Sequence, residues 1–139
     1  RWTTLRINYR TSHQIRRQAD RLLGTEVADV DGNVETRSGA ISVFNGPDPD
    51  VRLFPDDGAE GDAISKWIAE RVREGVPPEE IAVFVRSSAQ VPRAQKAIAG
   101  AGLQATTPAA GVDPDPGKVV LMPMHLAKGL EFRAVGAAA

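Results

Sequence analysis

Hydrophobic and polar positions change period several times along the chain, and each change marks an element. Leu5-Arg6-Ile7 alternates like a short strand. Thr11-Ser12-His13-Gln14 then carries a capping-box pattern, with Thr11 as N-cap and Gln14 three residues on. Ile15, Ala19, Leu22 and Leu23 fall on one face of the helix that follows, and Gly24 is placed to take the left-handed position that ends it. Residues 25–50 carry Gly32, Gly39, Gly46, Pro47 and Pro49, a loop composition with room for one short strand at Ile41-Ser42-Val43-Phe44. Val51 to Phe54 is a further strand candidate. Ile64, Trp67, Ile68 and Val72 mark a second amphipathic helix, stopped by Gly75 and by Pro77-Pro78.

The run Ile81-Ala82-Val83-Phe84-Val85 has no polar alternation, as expected of a central strand covered by helices on both faces of a parallel sheet. Ser88 is the expected cap of a third helix, with Val91, Ala94, Ile98 and Ala101 inward, Pro92 in the first turn and Gly102 at the end. After Leu103 to Thr107 comes a Pro/Gly/Asp stretch, Pro108 to Gly117, then the strand Val119-Val120-Leu121-Met122, a polar turn, and a last strand near Phe132 to Val135. Strands alternating with helices of this length predict an α/β domain with a mostly parallel sheet.

Composition narrows the class. A chain of 139 residues suits one domain, and 42% hydrophobic with 25% charged residues is the globular average, which argues against a disordered, fibrous or membrane-spanning protein. A formal charge of −1 means that affinity for a polyanion must come from a local patch. The absence of cysteine removes disulfides, thiolate metal sites and thiol catalysis, and two histidines are too few for a His-built metal cluster. A cytoplasmic setting fits. The opening Arg1 and the closing Gly136-Ala137-Ala138-Ala139 read as cuts through a longer protein, of which the fragment itself is expected to be monomeric.

Two glycine patterns imitate nucleotide sites. Gly111 to Lys118 resembles a P-loop, but five residues separate its glycines where four are needed, no Ser or Thr follows Lys118, and Asp113 and Asp115 would repel phosphate. Gly100-Ala101-Gly102-Leu103-Gln104-Ala105 matches a dinucleotide fingerprint, yet it follows a helix and opens none, so it reads as a helix terminator. Hydrolase and metalloprotease signatures are missing from the sequence.

Two segments carry chemistry. Asn8-Tyr9-Arg10 sits between a strand and a helix start, where open α/β sheets contact ligands; a guanidinium there can meet phosphate bidentately and the aromatic can stack on a base. The bland reading is that Tyr9 packs the junction and Arg10 pairs with a carboxylate. His125 to Phe132 brings an imidazole, an ammonium, a flexible glycine and a carboxylate into one turn suited to phosphate contact, or simply to solvent.

Together these segments resemble UvrD/Rep-type DNA helicases. Leu5-x-x-Asn8-Tyr9-Arg10-Thr11-Ser12-x-x-Ile15 with Ala19 is similar to the family's motif IV, and Val119-x-Leu121-Met122-x-x-His125-x-Ala127-Lys128-Gly129-Leu130-Glu131-Phe132 to its motif V. Ile81 to Gln90 resembles the strand-plus-turn motif between them. The resemblance covers nearly the whole chain and implies a RecA-like three-layer α/β domain, the second motor lobe of an ATP-dependent helicase or translocase. It implies that Tyr9 stacks on adenine, that Arg10 is the catalytic arginine reaching the γ-phosphate, and that Glu131 contacts the ribose. It implies that Arg86, Ser88, His125 and Lys128 touch single-stranded DNA, chiefly its backbone. ATP and Mg²⁺ would be bound mainly by the P-loop-containing domain of the same protein, so the fragment alone is expected to be inactive.

Three departures stand out. Pro123 replaces the family's usual Thr, Leu126 a common Ser, and Ser88 a frequent Asn. Between Thr107 and Val119 there is no room for the large subdomain that many relatives insert, which points to a compact subgroup. Two other readings remain open: the motor lobe of a non-unwinding ATPase switch or remodeller, and a catalytically silent interaction module.

Overall fold

The computed structural model describes residues 7–8, 12–22, 26–28, 34–36, 41–42, 45–109, 111–127 and 130–138. The chain divides into two compact units, Arg1–Arg52 and Leu53–Ala139.

The first unit holds β1 (Ile7–Asn8), α1 (His13–Leu22), β2 (Glu26–Ala28), β3 (Val34–Thr36) and β4 (Ile41–Ser42). β1 and β4 pair in parallel with Ile7 opposite Ile41, and β2 and β3 form an antiparallel ribbon with Val27 opposite Glu35. A stretch expected to be mostly loop thus contains three short strands, β2 and β3 paired with each other and β4 with the distant β1, pairing that overrides its Gly/Pro-rich composition. Helix α1 is capped by Ser12, whose Oγ accepts the Ile15 N–H at 3.4 Å. Thr11, the expected N-cap of a capping box with Gln14, lies outside the described residues, while Gln14 Oε1 accepts the Gly46 N–H at 2.8 Å. Glycine suits that approach, because a Cβ at position 46 would lie 3.3 Å from Ser12 Cβ. Arg17 also reaches Asp48 at 3.6 Å, so residues 46–48 lie along the first turns of α1. Of the expected inward stripe, Ile15 is 51% exposed and Ala19 is exposed, while the side chains of Leu22 and Leu23 lie outside the described residues. Leu5, Arg6, Thr11, Leu23 and Gly24 lie outside the described residues.

The second unit holds α2 (Asp57–Arg73), β5 (Ile81–Val85), α3 (Val91–Gly100), β6 (Gln104–Thr106), β7 (Lys118–Pro123) and β8 (Ala134–Ala138). The four strands form one all-parallel sheet in the order β6-β7-β5-β8. The unit is therefore α/β, as the alternation of elements predicts, and compatible with a three-layer RecA-like fold. Strand alternation sends Ile81, Val83, Val85, Val119, Leu121 and Ala138 to one face, where they pack against Ile68 of α2 and Ala94 and Ile98 of α3. Ala82, Val120 and Met122 face the other way and are buried with Phe84, Ala127 and Phe132. Phe84 and Phe132 meet edge to face at 5.9 Å and 70°. Strand β5 thus has a core on both faces. The described helices of this unit both lie on one face, and Ala127 and Phe132 pack on the other.

Local chemistry sets the boundaries. Asp56 caps α2 by accepting the Ala59 N–H at 2.7 Å. A short 3-10 turn, Ser88–Gln90, with Ser87 as its N-cap, leads into α3, so the expected cap Ser88 lies inside that turn and the residue before α3 is Gln90. Gly102, at φ 78°, takes the left-handed position after α3, which accounts for the glycine pair that imitates a dinucleotide fingerprint. Lys118 opens β7 with its ammonium 3.4 Å from Asp115, in a salt bridge rather than a phosphate cradle. β8 begins at Ala134, two residues later than expected, because Phe132 turns into the second core and the Arg133 N–H is donated to the Glu80 carbonyl at 3.0 Å. Val51 to Phe54 forms no strand: Val51 is 83% and Leu53 96% exposed, and no described strand pairs with them.

Candidate nucleic-acid interface at the carboxyl edge of the sheet

β5 and β7 are parallel neighbours whose last paired residues are Val85 and Pro123, so both strands end at the same edge, roughly 4.8 Å apart. From Val85 the chain passes through Arg86 and Ser87 into the 3-10 turn and α3, on the face of Ile68 and Ile98. From Pro123 it enters a second 3-10 turn, Met124–Leu126, and then runs past Ala127 and Phe132 on the opposite face. Two adjacent strands whose connections leave to opposite faces define a switch point, the crevice in which open α/β sheets take their ligands.

The first connection is held by Gln90, whose Oε1 accepts the Ser87 N–H at 3.1 Å while its own N–H is donated to the Ser87 carbonyl at 3.1 Å. That closure leaves Arg86 and Ser88 exposed. Among the described residues the Arg86 guanidinium makes no hydrogen bond or ion pair. The second connection is closed by the Ala127 N–H on the Met124 carbonyl at 3.1 Å and leaves His125 exposed. Arg86, Ser88 and His125, three of the four residues expected to touch DNA, are thus brought to one edge. Lys128 lies outside the described residues, as do Tyr9 and Arg10.

Neither connection carries a carboxylate from 86 to 90 or from 123 to 127. The start of α2 comes to the same edge, and there Arg93 pairs with Asp57 at 2.5 Å and Glu60 at 3.6 Å. The edge therefore presents cationic and hydrogen-bonding groups with partly neutralised acids beside them, a surface suited to a phosphate backbone.

Pro123 fits without breaking the ladder. Thr107 Oγ1 donates to the Leu121 carbonyl at 2.5 Å, which marks the side of β7 that faces β6. Pro123, two residues on, faces that same side, beyond the last residue of β6 at Thr106, so its missing N–H costs no ladder bond. What the departure removes is a hydroxyl.

Glu131 lies at the opposite edge. The parallel pairing of β8 with β5 requires the chain to return to the amino ends of the strands, and Glu131 lies there with Glu79, Glu80, Asp113, Phe132 and Arg133 around an open cavity of about 640 Å³. Glu79 Oε2 accepts the Gly117 N–H at 3.0 Å, and Arg133 lies 3.7 Å from Glu80. The backbone N–H groups of Glu79 itself and of Gly117 hold the Glu79 carboxyl below the usual carboxylate range. This edge is acidic. It can accept the hydroxyls of a ribose but repels a triphosphate. No group of three or more His, Cys, Asp or Glu among the described residues is arranged to hold a metal ion.

One feature of the turn differs from its expected character. It was expected to be polar, yet Met124 is 51%, Leu126 55% and Leu130 44% exposed. The signal was present in the sequence as apolar residues on either side of His125. No family model, curated protein or solved structure matches the chain. The helicase resemblance therefore stands on the residues themselves.

Proposed function

We propose that the chain is the second RecA-like motor lobe of a UvrD/Rep-type DNA helicase or translocase, gripping the backbone of single-stranded DNA with Arg86, Ser88, His125 and Lys128. Tyr9, Arg10 and Glu131 contact a nucleotide held by the P-loop domain of the same protein. The observation that carries this reading is the shared exit edge of β5 and β7, where the two resembling motifs converge on a crevice whose turns, 86–90 and 123–127, carry no carboxylate.

A guanidinium and an imidazole N–H on that edge each address a phosphate oxygen, and the Ser88 hydroxyl adds a third donor. The connection from β7 to β8 starts at this edge with His125 and finishes at the other with Glu131. One ten-residue segment, 124–133, thereby links the DNA grip to the ribose contact. ATP with Mg²⁺ supplies the hydrolysis that drives movement. Of the described residues, Glu131 fits the ribose end of the nucleotide, its carboxylate accepting hydroxyl protons. Arg10, presented to a phosphate held elsewhere, stabilises transition-state charge only when the two lobes close.

Steady-state ATPase kinetics on the complete protein with saturating single-stranded DNA test the reading. Arg10→Ala is expected to lower kcat by roughly 10³-fold with nucleotide affinity much less changed. Arg10→Lys should rescue little, since an ammonium lacks the planar fork of donors. Near-normal kcat in the Ala variant would return Arg10 to a structural role.

A further inference from the structure

The turn Met124–Leu126 carries more than a phosphate contact. A 3-10 turn has about three residues per revolution, so Met124, His125 and Leu126 fan out around its axis and the imidazole has an apolar side chain on each side. Both apolar side chains are more than half exposed, at 51% and 55%, although the strand they follow is buried from Val119 to Pro123. Resting on the reading above, we infer that Met124 and Leu126 are base-contact residues: they pack against the faces of unstacked nucleobases while Arg86 and His125 hold the adjoining phosphates.

The partner chemistry follows from the surroundings. The apolar pair stands beside an exposed guanidinium without a described partner and an imidazole, with no carboxylate at 86–90 or 123–127 and with the nearby Asp57 and Glu60 paired to Arg93, so the occupant must be anionic and apolar at once. Single-stranded nucleic acid has both properties, with a charged backbone and bases whose faces lack a stacking partner. A duplex offers the charge but hides the faces. A stable protein interface buries roughly 1,200 Å² or more, which two side chains cannot supply. The Leu126 departure then has a consequence: where a serine would add a donor to phosphate, leucine exchanges that contact for a base.

The chain is titrated with a fluorescent oligothymidylate, and with an abasic strand of equal length, at several salt concentrations. The Met124→Ser/Leu126→Ser variant should bind oligothymidylate roughly tenfold more weakly, with an unchanged salt slope and unchanged affinity for the abasic strand. Arg86→Ala should weaken both strands and lower the salt slope by about one. If the double variant binds both strands as wild type does while Arg86→Ala weakens both, the base contact is refuted and the DNA reading stands. Equal weakening on both strands also refutes it, since the side chains then only shape the turn. If Arg86→Ala changes neither, or wild type binds neither, the DNA reading itself fails and the base contact with it. Light scattering that shows wild-type self-association, lost in the double variant with DNA binding intact, would assign the pair to a protein interface instead.

Discussion

Replacing Gly100 by Ala tests the seam between α2 and α3, which fixes α3 and hence the Arg86–Ser88 end of the site. A Cβ at position 100 would lie 2.8 Å from Ser65 Oγ, too close to be tolerated without movement. The hydroxyl is not free to move: it donates to the Ala97 carbonyl at 2.5 Å and lies 3.1 Å from the Gly61 carbonyl. Displacing it forfeits a hydrogen bond worth about 1 kcal/mol and leaves a half-buried carbonyl short of a donor, about 1–3 kcal/mol in all. Alanine returns at most about 1 kcal/mol in helix propensity, less at the last residue of the helix. Gly100→Ala should therefore destabilise by about 1 kcal/mol. Ser65→Ala loses the same hydrogen bond and should cost about the same. In the double variant the two Cβ atoms meet at 3.6 Å, an ordinary contact, while the propensity gain survives. It should be at least as stable as Ser65→Ala alone, a coupling of about 1–2 kcal/mol in a double-mutant cycle. Urea unfolding of the four proteins, with m-values compared, measures it. Additivity within about 0.5 kcal/mol would refute the close approach.

Ile98, fully buried between α3 and the sheet, should cost about 2–5 kcal/mol when cut to Ala, read from the same urea transitions; a loss under about 1 kcal/mol would mean that the helix face is not the core. Glu79 sets a pH dependence of known sign. Its folded pKa is depressed below the ordinary 4.5, so its contribution is complete above that value and disappears as pH falls through the folded pKa. Glu79→Gln should accordingly be less stable than wild type at neutral pH, and the gap should close as pH falls through the folded pKa. A gap independent of pH would show that the Gly117 N–H does not hold the carboxylate.

What was legible in the sequence was what depends on near neighbours. Ile81 to Val85 is apolar throughout because β5 packs on both faces, and the 3.6 period of Ile64, Ile68, Ala94 and Ile98 places α2 and α3. Ser88 does not cap the third helix directly because a 3-10 turn, capped at Ser87 and held by Gln90, whose Oε1 accepts the Ser87 N–H, comes between, and hydroxyls at 87 and 88 are alike locally. The pattern at Ile41 to Phe44 marks β4, but β2 and β3 are not legible because three residues carry too little period, and Val51 to Phe54 reads as a strand yet forms none, since alternation says nothing of whether a partner strand arrives. For the site, Arg86, Ser88 and His125 share an edge because parallel strands end together. The same parallel geometry forces Glu131 to the far edge, a consequence the motif spacing does not display. The apolar residues flanking His125 are visible in the sequence, but their exposure is legible only once the turn that carries them is seen to stand clear of the buried β7.

Backbone-amide NMR of the chain titrated with a short single-stranded oligonucleotide tests the central claim most directly, because it maps the ligand without any substitution. Shifts should gather at Arg86, Ser87, Ser88, Met124, His125 and Leu126, and should weaken as salt is raised. Glu79, Glu80 and Asp113, on the acidic edge, should stay where they are. Shifts concentrated on that acidic edge, or none at any residue of the two connections, would contradict the assignment of the carboxyl edge to nucleic acid.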